Sequence, residues 1–206
     1  MSVGRPAQTS RAEIIRAARD LLQELGLDGL SVRSVAGLVD TAPSTIYNYF
    51  GTKQGLLEAL ADELLLEARP AVNTREDPLA ALRQWMIEYR QLLLKTPDLI
   101  TLINTHGPTP SVFKVGHDIY ILLQRAGFSD ADAALQARTL HWQVNGFVLQ
   151  EIQQKNLGFD ALDMMPEQYR ASLLLVSRID FEQLFANSID LSLDGLKKLL
   201  AEGGAR

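Results

Sequence analysis

An all-α fold follows from three features of the 206-residue sequence. Apolar residues recur at the helical period in nearly every stretch, and nothing reads as a ladder of strands. Capping residues (Ser10, Ser31, Thr52, Asp77 and Ser129) stand just ahead of those runs. One long helix followed by two short ones predicts a three-helix head at residues 1–55, with a larger helical body at residues 56–206.

Ser10-x-x-Glu13 is a capping box, in which each side chain satisfies a backbone N–H of the first turn. Ile14, Ala18, Leu21, Leu22 and Leu25 then share one face, and Gly26 suits the left-handed position that ends a helix. Asp28-Gly29 makes a turn, and Ser31 caps a short helix over 32–39. After a brief break, Pro43 opens a second short helix that runs to about Phe50. Thr52 caps a longer helix over about 53–69. Pro70 and Pro78 bracket a polar linker, and helices are expected at about 78–95, 97–105, 111–126 and 130–154. A loop around 156–166 precedes two closing helices, about 167–177 and 180–201.

Composition narrows the function classes. The chain has no cysteine, which excludes disulfides and Cys-ligated metal sites and fits a reducing cytoplasm. No signal peptide is visible in MSVGRPAQTSR, and apolar runs such as Leu173–Val176 are far too short to span a membrane. A soluble, cytoplasmic protein with no membrane partner is expected. The formal charge of −5 argues at first against nucleic acid. Its distribution weakens that argument. Residues 1–55 carry six bases and five acids, whereas the rest carries fourteen bases and twenty acids, so the acidity belongs to the body.

Two short helices joined by a tight turn, behind a longer bracing helix, form a helix-turn-helix pattern. A DNA major groove admits one helix, so the second must present polar groups outward. In PSTIYNYFGTK, Ile46 and Phe50 are spaced to face the core. Pro43, Ser44, Thr45, Asn48 and Tyr49 then lie on the outward side, with Tyr47 near the edge. Asn can read adenine with both ends of its amide, and Thr can meet a thymine methyl or a base edge. Ser31, Arg33, Lys53 and the Tyr hydroxyls suit phosphates, which position without specifying. From spacing alone, an ordinary amphipathic helix showing Ser, Thr and Asn to solvent is an equal alternative.

The run LSVRSVAGLVDTAPSTIYNYFGTKQGLLEAL resembles the DNA-binding region of the TetR family of transcriptional regulators, most specifically from Thr45 to Leu57. The first helix, RAEIIRAARDLLQELGLDGLS, is also similar to that family's opening, so the resemblance covers roughly the first 65 residues. It departs at the turn, where Asp40-Thr41-Ala42 replaces a small Gly, an apolar residue and a Ser cap; Asp tolerates the left-handed geometry needed there. Further on, AGFSDADAALQARTLHWQVNGFVLQE, the THGPTP loop and FEQLFANSIDLSLDGLKKLL are similar to tetracycline-binding members of the family. Those members hold magnesium-chelated tetracycline with a loop His and a Glu on a long helix. The loop His matches His106, but Gln150 stands at the second position, with Glu151 beside it. A neutral Gln is a poor magnesium ligand, so no metal, no cofactor and no tetracycline chelate is expected.

In the body, Trp85 and Tyr89 are four apart and could line a pocket with His106, Phe113, Tyr120, His141, Trp142, Phe147 and Gln150. Each of these is individually more at home in a core or an interface. No pair among His106, His117 and His141 has metal-ligand spacing, and no nucleophile–base pairing stands out, so no catalytic residue is assigned. Phe181, Leu184, Phe185, Ser188, Leu191 and Leu199 fall near one stripe, and Leu135, Leu140, Val144, Phe147 and Val148 near another. An internal core would explain both. The family resemblance implies instead a four-helix bundle made by two copies, which would hold two heads one DNA turn apart.

The reading is a homodimeric transcriptional repressor. A small-molecule effector, aromatic or largely apolar, would release it from a double-stranded, pseudo-palindromic operator. Activation rather than repression stays open, and the rival class is a helical carrier or enzyme with a vestigial head.

Overall fold

The computed structural model describes residues 9–73, 75–105, 109–156, 166–170 and 180–203. Among them there is no strand, and no helix is long and apolar enough to cross a membrane. His106, the run Leu173–Val176 and most of the segment predicted as a helix over 167–177 lie outside the described residues. The chain forms two compact units: residues 1–68 with 98–113, and residues 69–97 with 114–206.

The first unit begins with α1 (Arg11–Gly29), whose start is the expected capping box. The Ser10 side chain accepts the Glu13 N–H at 3.2 Å, and Glu13 accepts the Ser10 N–H at 2.7 Å. The helical conformation breaks at Gly26, φ 68°, where a side chain would be strained. Ile14, Ala18, Leu21 and Leu22 are buried as the periodicity requires, but Leu25 is exposed. It sits in the last turn before the break, where the buried face has run out. The helices α2 (Val32–Leu38), α3 (Pro43–Phe50) and α4 (Lys53–Ala68) pack with α1 around Leu30, Val35, Ile46, Leu56 and Leu60. Thr52 caps α4 by accepting the Gly55 N–H at 2.9 Å. This unit also holds α6 (Pro97–Thr105), in which Leu99, Ile100 and Leu102 are buried. At its start the Asp98 carboxylate accepts the Leu27 N–H, while burial and the neighbouring Asp28 push its pKa up.

The second unit is built on α5 (Pro78–Lys95), α7 (Pro110–Ala126, from Lys114 on), α8 (Asp130–Asn156) and α9 (Phe181–Gly203). Asp77 accepts the N–H groups of Leu79 and Ala80, capping α5 as expected. Leu82, Met86 and Leu93 of α5, Leu140, Val144 and Val148 of α8, and Phe185, Ile189 and Leu193 of α9 form its core. Here the predicted stripes divide. Phe185, Leu140, Val144 and Val148 are buried, whereas Leu184, Leu191, Leu199 and Leu135 are exposed, as is Trp142, which was expected at a pocket rather than in a stripe. At about 3.6 residues per turn, the exposed set lies on a different side of each helix from the buried set.

Candidate nucleic-acid interface and small-molecule site

The helix-turn-helix is held by a sequence of local devices. Ser31 and Ser34 form a reciprocal cap at the start of α2, each N–H donating to the other's hydroxyl at 3.1 Å. The chain then reverses at Asp40, which adopts φ 47°, and the Thr41 N–H donates to the Ala36 carbonyl at 3.0 Å. Pro43 occupies the first turn of α3, with Ala42 preceding it and no side-chain cap. Gly51, φ 72°, ends the helix. Ile46 is fully buried and Phe50 half-buried, so the register of α3 is the expected one.

That register leaves Pro43, Ser44, Tyr47, Asn48 and Tyr49 exposed and Thr45 half-buried. Ser31, Arg33 and Lys53 are exposed beside them in sequence, on α2, its cap and the first residue of α4. Two of these groups already have local duties: the Ser31 hydroxyl caps α2, and the Tyr49 hydroxyl donates to the Thr9 carbonyl at 2.9 Å. The Arg11 guanidinium lies 5.2 Å from the Phe50 ring centroid, within cation–π range, and so braces α3 from α1. Sequence reasoning passed over Arg11, because its stacking partner is 39 positions away and no local period links them.

In the second unit, α5 and α8 bring together three of the residues expected to line a pocket. Trp85 and Tyr89 stack with ring centroids 5.0 Å apart, and the Tyr89 hydroxyl lies 3.4 Å from His141 Nε2. Burial pushes the Tyr89 hydroxyl up and the His141 ring down to about 4, so His141 is neutral at pH 7. Asn145 lies one turn beyond His141 and reaches the same nitrogen at 3.2 Å. The i, i+4 spacing of His141 and Asn145 was the available signal for adding it.

The remaining expected residues are placed apart from that cluster. Phe147 is half-buried and meets Phe185 edge-on at 4.9 Å. It also lines an open groove of about 370 Å³ with Gln150, Trp142 and Leu184. Gln150 is exposed. Tyr120 is half-buried and stacks on His117 within α7. Phe113 is exposed and belongs to the first unit. Glu151 is fully engaged: with Arg90 it forms a buried ion pair, at 2.8 Å and 3.0 Å to one guanidinium nitrogen and 3.0 Å to another. Glu182 meets the third nitrogen at 2.9 Å, and Lys155 meets Glu151 at 2.7 Å. Arg90 also lies over the Phe185 ring at 4.9 Å. No group of three or more His, Asp or Glu side chains able to hold a metal ion occurs among the described residues.

Residues 14–60 match the family model described as bacterial regulatory proteins, tetR family. Among curated proteins, the tetracycline repressor protein class A from transposon 1721 of Escherichia coli is 33% identical over 143 residues. That alignment spans 67% of this chain and 65% of the relative, slightly less than two thirds of its length. A crystal structure of BioQ with its natural double-stranded DNA operator superposes with a TM-score of 0.68 at 25% identity, covering 92% of this chain and 98% of the other. A variant of TetR from Acinetobacter baumannii AYE in complex with minocycline gives the same TM-score and identity, covering 93% and 98%.

Proposed function

This chain belongs to the TetR family of bacterial regulatory proteins, and from that premise we propose that it is a homodimeric, ligand-responsive transcriptional repressor acting on DNA in the cytoplasm. The observation that carries the reading is the presentation of α3, whose buried Ile46 fixes the outward direction of Ser44 and Asn48. Related folds bound to an operator and to a small molecule support both halves of it. In this proposal residues 1–55 are the DNA-binding domain and residues 56–206 the effector-binding and dimerising domain.

Asn48 and Thr45 read base edges, and Ser44 and Tyr47 approach from the same face. Arg33 and Lys53 supply cations to phosphates, joined by Ser31, Pro43 and Tyr49 at the margins of the contact. Two copies associate through the exposed apolar side chains of α8 and α9, Leu135, Trp142, Leu184, Leu191 and Leu199. Burial of such side chains against their symmetry mates gives a closed, two-fold assembly, and the operator mirrors it as a pseudo-palindrome. The effector, small and aromatic or largely apolar, binds within the second unit. Operator and effector favour different states of the dimer, so each weakens the binding of the other by the same factor. Repression follows when the dimer blocks access to a promoter, and no catalytic residue or metal takes part.

The test is fluorescence anisotropy with duplexes from the region upstream of the chain's own and neighbouring genes. One duplex should bind at least about a thousandfold more tightly than unrelated DNA at the same salt. No binding, or equal binding to every duplex, would instead favour a helical carrier or enzyme with a vestigial head.

A further inference from the structure

Among the described residues, three buried side-chain atoms of the second unit lack a hydrogen-bond partner; one, Arg90 Nη1, is ion-paired with Glu182, and the other two have no partner of any kind. The Trp85 indole N–H is buried and lacks an acceptor, and the Asn145 side-chain oxygen is buried and lacks a donor. The second mismatch survives a turn of the amide. If the Asn145 NH2 donates to His141 Nε2, the oxygen is left over; if the oxygen accepts from Nε2–H, the NH2 is left over. Both unmatched groups flank Tyr89. Trp85 stacks on its ring, and Asn145 shares the imidazole nitrogen that its hydroxyl reaches. Buried polar groups are nearly always paired, so two orphans around one ring point to an absent partner.

We infer that Trp85, Tyr89, His141 and Asn145 form the polar end of the effector site, and that the effector is an uncharged, planar cyclic amide. This rests on the reading of the second unit as effector-binding. The chemistry follows from what each group lacks. An indole N–H can only donate, so it requires an acceptor such as a carbonyl oxygen. The spare end of Asn145 is matched by a second amide, whichever way it is turned. A lactam supplies both functions within one flat frame, and flatness suits the aromatic faces of Trp85 and Tyr89. Net charge is disfavoured. His141 is neutral, and the nearest buried cation in sequence, Arg90, is already ion-paired with Glu151 and Glu182. An ordered water could satisfy the same groups, and it is the competing outcome.

Equilibrium dialysis of the full chain against 2-quinolone, naphthalene and 2-naphthoate separates these outcomes. The three probes share a two-ring frame and differ in carrying a lactam, no polar group, or a carboxylate. 2-Quinolone should bind about tenfold or more tightly than either of the others, because only it matches both orphans. Trp85→Phe and Asn145→Leu should each weaken 2-quinolone about tenfold and leave naphthalene unchanged. Should Asn145→Leu fail to fold by circular dichroism, Trp85→Phe decides alone. Equal binding of all three probes, no binding of 2-quinolone, or full affinity in the folded variants would overturn the assignment in favour of a trapped water. Anisotropy with duplex DNA is run in parallel. Specific DNA binding without the lactam preference removes this site and spares the repressor reading, whereas the lactam preference without DNA binding does the reverse.

Discussion

In α3 the apolar side chains face inward and Ser44 and Asn48 stand in solvent, whereas the α5–α8 pair seals Arg90, Glu151, His141 and Asn145 inside. Both regions are helical, and both are proposed to bind something. An exposed polar group keeps its hydration until a partner arrives, so a surface reader is cheap to maintain and is specified by a few residues in a row. A buried polar group must find its partner on another helix or leave the fold with a cost of about 1–3 kcal/mol. Stability and function are therefore separable in α3 and entangled between α5 and α8.

The hardest test of that contrast is Glu151→Gln. It leaves the buried Arg90 facing only the exposed Glu182. Urea denaturation should show a loss on the order of 3–5 kcal/mol, while the double replacement Arg90→Met with Glu151→Leu should recover most of it. A loss below about 1 kcal/mol in the single variant would mean that the pair is not sealed.

Next in size is a pH effect. His141 is held down to about 4 against an ordinary 6.5, so the unfolded chain takes up a proton first as pH falls. Stability should then decline between pH 6.5 and about 4, by at most about 3 kcal/mol, because the unfolded state binds more protons across that window. His141→Phe should flatten this part of the profile relative to wild type. Identical slopes in the two proteins would place the proton elsewhere.

At the bundle surface, Leu191→Glu should convert dimers to monomers at micromolar concentration in sedimentation equilibrium while leaving helicity intact, since Leu191 is exposed. Phe185→Glu, in contrast, should unfold the unit, because that side chain is buried. A Leu191→Glu protein that is still a dimer would move the interface to another face.

Smaller still is Ser31→Ala, which removes the cap of α2 and should lower stability by about 1 kcal/mol without touching the second unit. Lys53→Ala should weaken every duplex alike and reduce the slope of log affinity against log salt by about 1.

The same contrast explains what could be read from sequence. The devices of the first unit are local: a capping box at Ser10, a left-handed Gly26, a reciprocal cap at Ser31 and a buried Ile46 each follow from neighbours within four residues. Helix positions in the second unit were legible for the same reason, but of the buried set on α9, Phe185, Ile189, Leu193 and Leu196, only Phe185 was anticipated. The Tyr89–His141 contact spans 52 positions and the Arg90–Glu151 pair 61, and periodicity carries no information on such pairings. That is why the commitment of Glu151, the neighbour of Gln150, to Arg90 was not foreseen, and why Asn145 went unmarked.

If α3 is the reader, it recognises DNA sequence through side chains that the fold itself does not need. That is tested most directly by measuring wild type and Asn48→Ala against the operator and each of its single-base variants, at fixed salt. Asn48→Ala should keep its thermal stability while its preference at one base pair per half-site collapses by about 1–3 kcal/mol. A variant that binds every duplex more weakly but keeps the full base preference would contradict it.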